Sequence, residues 1–187
     1  QVERNKSKVW IDKNENCDEY ISKINLSNIK KIKKNHIFAY PDLGKLYQLL
    51  SKNLNIDYKN ILITNGADGA IRLIFDLFTK NKKLKVLRFE PSFAMYKIYS
   101  KIFSSKDIVL NYVNQNDTLL LNEKEIIKKI SKYKPNLLLL ANPNSPTGTL
   151  INKKEIIRII KVARKINCLV LLDEAYFPYS KLTLIDK

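Results

Sequence analysis

The chain has no run of about 18 uncharged apolar residues, the minimum for a membrane-spanning helix, so a transmembrane segment is not expected. Its first residues, QVERNKSKVW, lack the apolar stretch of a secretory signal, and the expectation is a soluble, cytoplasmic protein. Cysteine is scarce: Cys17 and Cys168 share no motif spacing and read as ordinary reduced thiols rather than as a disulfide framework or a metal site. No Gly-Lys-Ser/Thr of the Walker type occurs, which weakens nucleotide hydrolysis as a reading. There is no internal repeat and no low-complexity linker.

Acidic residues are outnumbered, with 18 Asp and Glu against 34 Lys and Arg, for a formal charge of +16 over 187 residues. That balance raises a nucleic-acid-binding module as a rival reading. The distribution argues against it, because the lysines are mixed with Ile and Asn through every expected helix and loop instead of forming one block interleaved with aromatics. Attraction of small phosphorylated or carboxylated ligands remains consistent with the charge. An apolar content of 45% at this length is enough for a sizeable core.

The pattern that is present alternates strands with helices. LLLLANPNSPTG (137–148) and LVLLDEAYFPY (169–179) are apolar runs of strand length that end abruptly in polar, turn-forming residues. Between them, INKKEIIRIIKVARKINC places Ile156, Ile157, Ile160 and Ala163 at helical spacing, so the unit reads as strand, crossover helix, parallel strand. In an open parallel sheet such junctions are carboxyl ends of strands, where ligands bind. Upstream, strands are expected at 61–64 (ILIT), 84–89 and 107–113. Helices are expected over DLGKLYQLLSKNL with Leu43, Leu46, Leu49 and Leu50 on one face, over AIRLIFDLF with Ile71, Ile74, Phe75 and Phe78 on its apolar side, and at about 92–103 and 123–133. The fold class is α/β, three layers with a mostly parallel sheet. Residues 1–39 are polar, free of Gly and Pro, with only WID at 10–12 strand-like, and read as an arm.

Three loops carry the candidate chemistry. Asn65-Gly66-Ala67-Asp68-Gly69 sits between a strand and a helix start, where small residues and exposed N–H groups favour an anion such as phosphate; Asp68 is also placed to cap the helix. The plain alternative is a tight turn. Asp173-Glu174-Ala175-Tyr176 ends an apolar strand, where a carboxylate needs a cationic or proton-donating partner such as a protonated heterocyclic nitrogen, with Tyr176 near the same ligand. A capping Asp with a core Tyr, or a metal-binding Asp-Glu pair, is the alternative there. In Asn142-Pro143-Asn144-Ser145-Pro146-Thr147-Gly148 the prolines fix a rigid loop displaying amide and hydroxyl groups; taken alone it is an ordinary turn.

Taken together and in order, these segments resemble the large-domain half of fold-type I pyridoxal-phosphate aminotransferases of class I/II, in particular the histidinol-phosphate aminotransferase subgroup. The resemblance rests on Asn14-Glu15-Asn16, Tyr40-Pro41, Gly66-Ala67-Asp68, Pro91-Ser92-Phe93 with Met95-Tyr96, Pro146-Thr147-Gly148 and Asp173-Glu174-Ala175-Tyr176. It implies pyridoxal 5'-phosphate as cofactor, with no metal, and a division into an arm with the start of the small domain (1–39) and a partial large cofactor-binding domain (40–187). It further implies that the amides of Ala67 and Asp68 bind the cofactor phosphate, that Phe93 stacks on the pyridine ring and that Asp173 pairs with the pyridine nitrogen. Tyr176, with Ser145, would face the ring's phenolic oxygen; Tyr40 would reach the cofactor of a partner subunit in a homodimer, and Glu15 would lie over a small amino-acid or amino-phosphate substrate.

The chain departs from the family in three ways. Ser145 stands where relatives usually have Asn, with Asn144 beside it as a substitute donor, and Cys17 stands where relatives commonly have Pro. The lysine that relatives use to bind the cofactor covalently lies in a Ser-Lys segment well beyond Asp-Glu-Ala-Tyr; Ser180-Lys181 is too close to Tyr176 to match it. The expectation is therefore part of a longer enzyme of histidine biosynthesis, inactive in transamination as it stands, with a non-catalytic binding partner as the rival. A related fold-type I enzyme, such as a threonine-phosphate decarboxylase, would share every residue named.

Overall fold

The structure is a computed structural model that describes residues 5, 7, 8, 16, 18–79 and 83–185. In chain order the elements are α1 (Glu19–Ile29), α2 (Lys34–Phe38), α3 (Gly44–Leu54), α4 (Gly66–Thr79), β1 (Lys85–Glu90), α5 (Ala94–Ile102), β2 (Lys106–Asn111), β3 (Val113–Gln115), β4 (Thr118–Leu120), α6 (Glu123–Tyr133), β5 (Leu137–Ala141), α7 (Lys153–Lys165), β6 (Leu169–Asp173) and α8 (Phe177–Ser180). Two compact units are present, Gln1–Leu49 and Leu50–Lys187.

In the first unit α1 and α2 occupy part of the stretch expected to be an arm with the start of a small domain. Asp18 caps α1, its Oδ1 accepting the N–H of Ile21 at 3.0 Å, and neither helix buries a residue. The expected strand at WID lies outside the described residues. The leucine face of α3 forms, but Leu43, Leu46 and Leu49 stay exposed.

The second unit is built on a four-stranded parallel sheet of order β2-β1-β5-β6. Strands β1 and β5 are sealed on both faces, which explains their near-continuous apolar sequence. One layer, with Ile71, Phe75, Tyr96 and Tyr99 from α4 and α5, packs on Val86, Leu137 and Leu139. The other, with Ile126, Ile130, Ile156 and Ile159 from α6 and α7, packs on Leu87, Phe89, Leu138 and Leu140. The result is the expected three-layer α/β arrangement, with every strand of the sheet delivering its carboxyl end to one edge. Arg158 clamps the outer helices together through a two-pronged pair with Glu123, both N···O distances being 2.6 Å.

Three local expectations are corrected. Residues 61–64 enter α4 as irregular chain and join no described sheet, because β-type side chains make a strand only where a neighbouring ladder takes up the backbone. On α7 the buried face keeps Ile156 and Ala163 of the expected stripe and adds Ile159, while Ile160 is half-buried against the core and Ile157 is exposed. Between β2 and α6 an unexpected hairpin, β3 paired antiparallel with β4, turns through Asn116 and Asp117, both at positive φ as a two-residue hairpin loop demands. No helix among the described residues is long and apolar enough to cross a membrane.

Candidate functional site

Register places Asp173, the last residue of β6, opposite Ala141, the last of β5. The N–H of Asn142 donates to the Asp173 carbonyl at 2.9 Å, so the Asn-Pro loop leaves the sheet beside this carboxylate. The carboxylate itself is half-buried and takes one donor on each oxygen: the Ala175 N–H on Oδ1 at 2.9 Å and the Tyr96 hydroxyl on Oδ2 at 2.8 Å. A carboxylate has about four lone-pair sites, so two remain for a further donor. Among the described residues, no lysine or arginine forms an ion pair with Asp173. A protonated ring nitrogen suits such an acceptor.

Phe93 occupies the N-cap position of α5, just past the end of β1, and its ring meets that of Tyr96 edge-on, centroids 5.7 Å apart. The two also line an open cleft of about 560 Å³ together with Arg88, Glu90 and Lys97, a cleft whose walls do not include Asp173. Burial and the Asp173 carboxylate push the Tyr96 phenol far above its ordinary range, which keeps its proton in place.

The Asn142–Gly148 loop is held from within. Asn142 Nδ2 donates to the Ile151 carbonyl at 3.1 Å and Oδ1 accepts the Ile151 N–H at 2.8 Å. Asn144, 2% exposed, donates to the Pro91 carbonyl (3.0 Å) and to Thr147 Oγ1 (2.7 Å), while its Oδ1 accepts the Ser92 hydroxyl (2.6 Å). Its amide is thus spent on the scaffold, and Asn144 does not replace the longer side chain missing at Ser145. Ser145 is half-buried on the same loop. The Tyr112 hydroxyl also bonds Thr147, and burial holds that phenol well above its ordinary range.

At the start of α4, Gly66 adopts φ +69°, a conformation that L side chains rarely take, and its N–H bonds the Thr64 carbonyl at 2.8 Å. A helix start leaves first-turn amides such as those of Ala67 and Asp68 without intrahelical acceptors, and both residues are exposed. The α4 dipole adds positive potential there, so the donor set fits a phosphate. Asp68 lies inside the first turn rather than at the cap; its carboxylate accepts the Tyr99 hydroxyl at 3.0 Å, which ties α4 to α5.

Hydrogen bonds and ring contacts link Phe93 and Asp173 through Tyr96 and tie Asp68 to the same helix through Tyr99, while Ser145 follows Asn144 on the loop bonded to Ser92. Tyr176, half-buried at the start of α8, packs its ring against Tyr179 at 6.2 Å. Tyr40 belongs to the other unit, where it is fully exposed, and Glu15 lies outside the described residues. Tyr96 as a partner of Asp173, Tyr99 as the brace between α4 and α5, and Tyr112 behind the Asn-Pro loop were missed in the sequence, where Asn144 entered only as a substitute donor for Ser145. A signal existed for the first two: tyrosines three apart on the buried face of a helix need polar partners for their hydroxyls.

Cys168 is buried at the entry to β6, and burial pushes its thiol up to about 11, which makes it inert.

Three comparisons bear on this geometry. The family model described as aminotransferase class I and II matches residues 6–179. The histidinol-phosphate aminotransferase of Caldanaerobacter subterraneus subsp. tengcongensis is 40% identical over 188 aligned positions, covering 99% of this chain and 51% of that protein; that of Clostridium novyi is 32% identical, covering 97% and 49%. Among solved structures, the histidinol-phosphate aminotransferase from Clostridium acetobutylicum superposes with a TM-score of 0.69 at 28% identity, covering 88% of this chain and 46% of that one. The L-threonine-O-3-phosphate decarboxylase from Porphyromonas gingivalis gives 0.63 at 26%, covering 86% and 46%. The chain spans about half the length of the curated relatives it matches.

Proposed function

Since the chain belongs to the aminotransferase class I and II family, we propose that the protein carrying it is a pyridoxal-phosphate-dependent transaminase. It moves an amino group between glutamate and an oxo substrate, with histidinol phosphate the preferred substrate by similarity to the relatives so named. The observation that carries the reading is the Asp173 carboxylate at the end of β6, facing the same sheet edge as the α4 amides and Phe93.

The cofactor, when bound, supplies a cationic ring that accepts the electrons released as the substrate's C–H bond breaks. This chain's residues would hold and tune that ring. Asp173 accepts the pyridine N–H and keeps the nitrogen protonated, Phe93 packs on the ring face, and the first-turn amides of Ala67 and Asp68 bind the phosphate. Tyr176 donates to the phenolic oxygen, and Ser145 stands on the same side with a shorter reach than an amide. The proposal includes a homodimer in which Tyr40 reaches the partner subunit's cofactor, with Glu15 over the substrate. It also includes the domain division at residue 39 and a cytoplasmic setting in histidine biosynthesis.

A second reading, decarboxylation of a phosphorylated amino acid, is favoured by the similarity to the threonine-phosphate enzyme. Both named substrates are phosphate esters of amines, so the readings share a substrate class. Incubating the protein that carries this chain with histidinol phosphate and 2-oxoglutarate should yield glutamate. Carbon dioxide release from threonine phosphate with no glutamate formed would replace the first reading by the second, and neither product would reject both.

A further inference from the structure

Tyr96 sits in the core, 1% exposed, yet its hydroxyl reaches across to a residue 77 positions later in the chain, Asp173 Oδ2. A buried phenol needs some acceptor, and a backbone carbonyl would serve that need. Here the acceptor is instead the one carboxylate the proposed cofactor requires.

We infer that Tyr96 is a positioning residue for the cofactor's pyridine nitrogen: it holds the Asp173 carboxylate in the orientation that receives the ring N–H. The inference rests on the proposed function. Donors on both oxygens, the Tyr96 hydroxyl and the Ala175 N–H, fix the carboxylate plane against rotation before any ligand arrives. The same Tyr96 ring stands edge-on to Phe93, so one side chain sets both the acceptor and the stacking partner relative to each other. The phenol does not ionise in the working pH range, because burial first and the adjacent carboxylate second disfavour phenolate. It stays a donor, so the hydrogen bond that orients the Asp173 carboxylate persists.

The test compares equilibrium dialysis of pyridoxal phosphate with that of its analogue bearing C–H in place of the ring nitrogen. The protein that carries this chain is used as the wild type and as the Tyr96→Phe, Asp173→Asn and Tyr99→Phe variants. The wild type should prefer the nitrogen-bearing cofactor, and Asp173→Asn should abolish that preference. Loss of one hydrogen bond to a charged group should cut the preference about tenfold in Tyr96→Phe, with affinity for the carbon analogue little changed. The analogue thus reports whether the variant has kept its fold. Tyr99→Phe, which strips a hydroxyl from the same helix, should keep the preference. An unchanged preference in Tyr96→Phe, a parallel fall in both affinities, or equal loss in Tyr99→Phe overturns the positioning role. A wild type with no preference, or with no binding at all, overturns the Asp173 assignment, and the role of Tyr96 falls with it.

Discussion

The Asn144 side chain donates to Pro91 and Thr147 and accepts from Ser92, tying together two loops 53 residues apart in sequence. Nothing in the string Asn-Pro-Asn-Ser-Pro-Thr-Gly separates this scaffolding amide from a ligand-facing one, because both lie in the same turn-forming composition. Asp173 was legible, since a carboxylate closing an apolar strand needs a partner; its actual partner, Tyr96, was not, because the contact depends on how α5 crosses the sheet. With Asn144 occupied, the proposed function leaves the shorter Ser145 to face the ring oxygen. Ser145→Asn should therefore tighten pyridoxal phosphate binding by about threefold to tenfold, the worth of one neutral hydrogen bond, in equilibrium dialysis. Unchanged or weaker binding would remove Ser145 from the site.

Helix α5 ends in two turn-closing bonds, Ser104 N–H to the Lys101 carbonyl at 3.1 Å and Ser105 N–H to the Ser100 carbonyl at 2.8 Å, with Ser104 at φ +50°. This is the position where glycine is preferred. Ser104→Gly should stabilise the fold by about 0.5–1 kcal/mol, seen as a raised Tm.

On the other flank of α5, buried Arg88 binds Asp107 at 2.6 Å and Glu90 at 2.7 Å, linking β1 to β2. Arg88→Met should cost about 2 kcal/mol, less than a fully buried pair because Glu90 reaches solvent. The Arg88 hydrogen bond holds the Glu90 carboxyl below its ordinary range, so on acidification the unfolded chain takes up this proton first. Its contribution is intact above the ordinary carboxylate range and is lost as pH falls through the lowered value. Wild-type stability should thus fall as pH drops out of the ordinary carboxylate range, with a flatter curve in Arg88→Met.

Strand β1 and helix α5 were legible from apolar runs and helical spacing; the β3–β4 hairpin was not, its Asn-Asp turn signal sitting between runs only three residues long. ILIT at 61–64 misled because strand composition says nothing about whether a neighbour is present.

Two helical layers on a parallel sheet follow from alternating apolar periods, and that architecture alone would fit many functions. What narrows it is the coincidence at one edge of an anion-ready helix start, an aromatic ring and a carboxylate. The +16 charge is spread over the helices and adds a general attraction for phosphorylated ligands rather than a focused patch. If Tyr40 serves a neighbouring subunit, sedimentation velocity should give twice the chain mass, and Tyr40→Phe should weaken cofactor binding without changing that mass. A strict monomer would remove Tyr40 from the site.

Dialysis of the protein that carries this chain against pyridoxal phosphate and against pyridoxal shows whether this sheet edge holds the cofactor by its phosphate as well as by its ring. The phosphorylated form should bind at least about tenfold more tightly, through charge-assisted bonds to the first-turn amides of α4. Equal binding of the two would contradict it, because the Ala67–Asp68 turn would then be only a tight strand-to-helix connection.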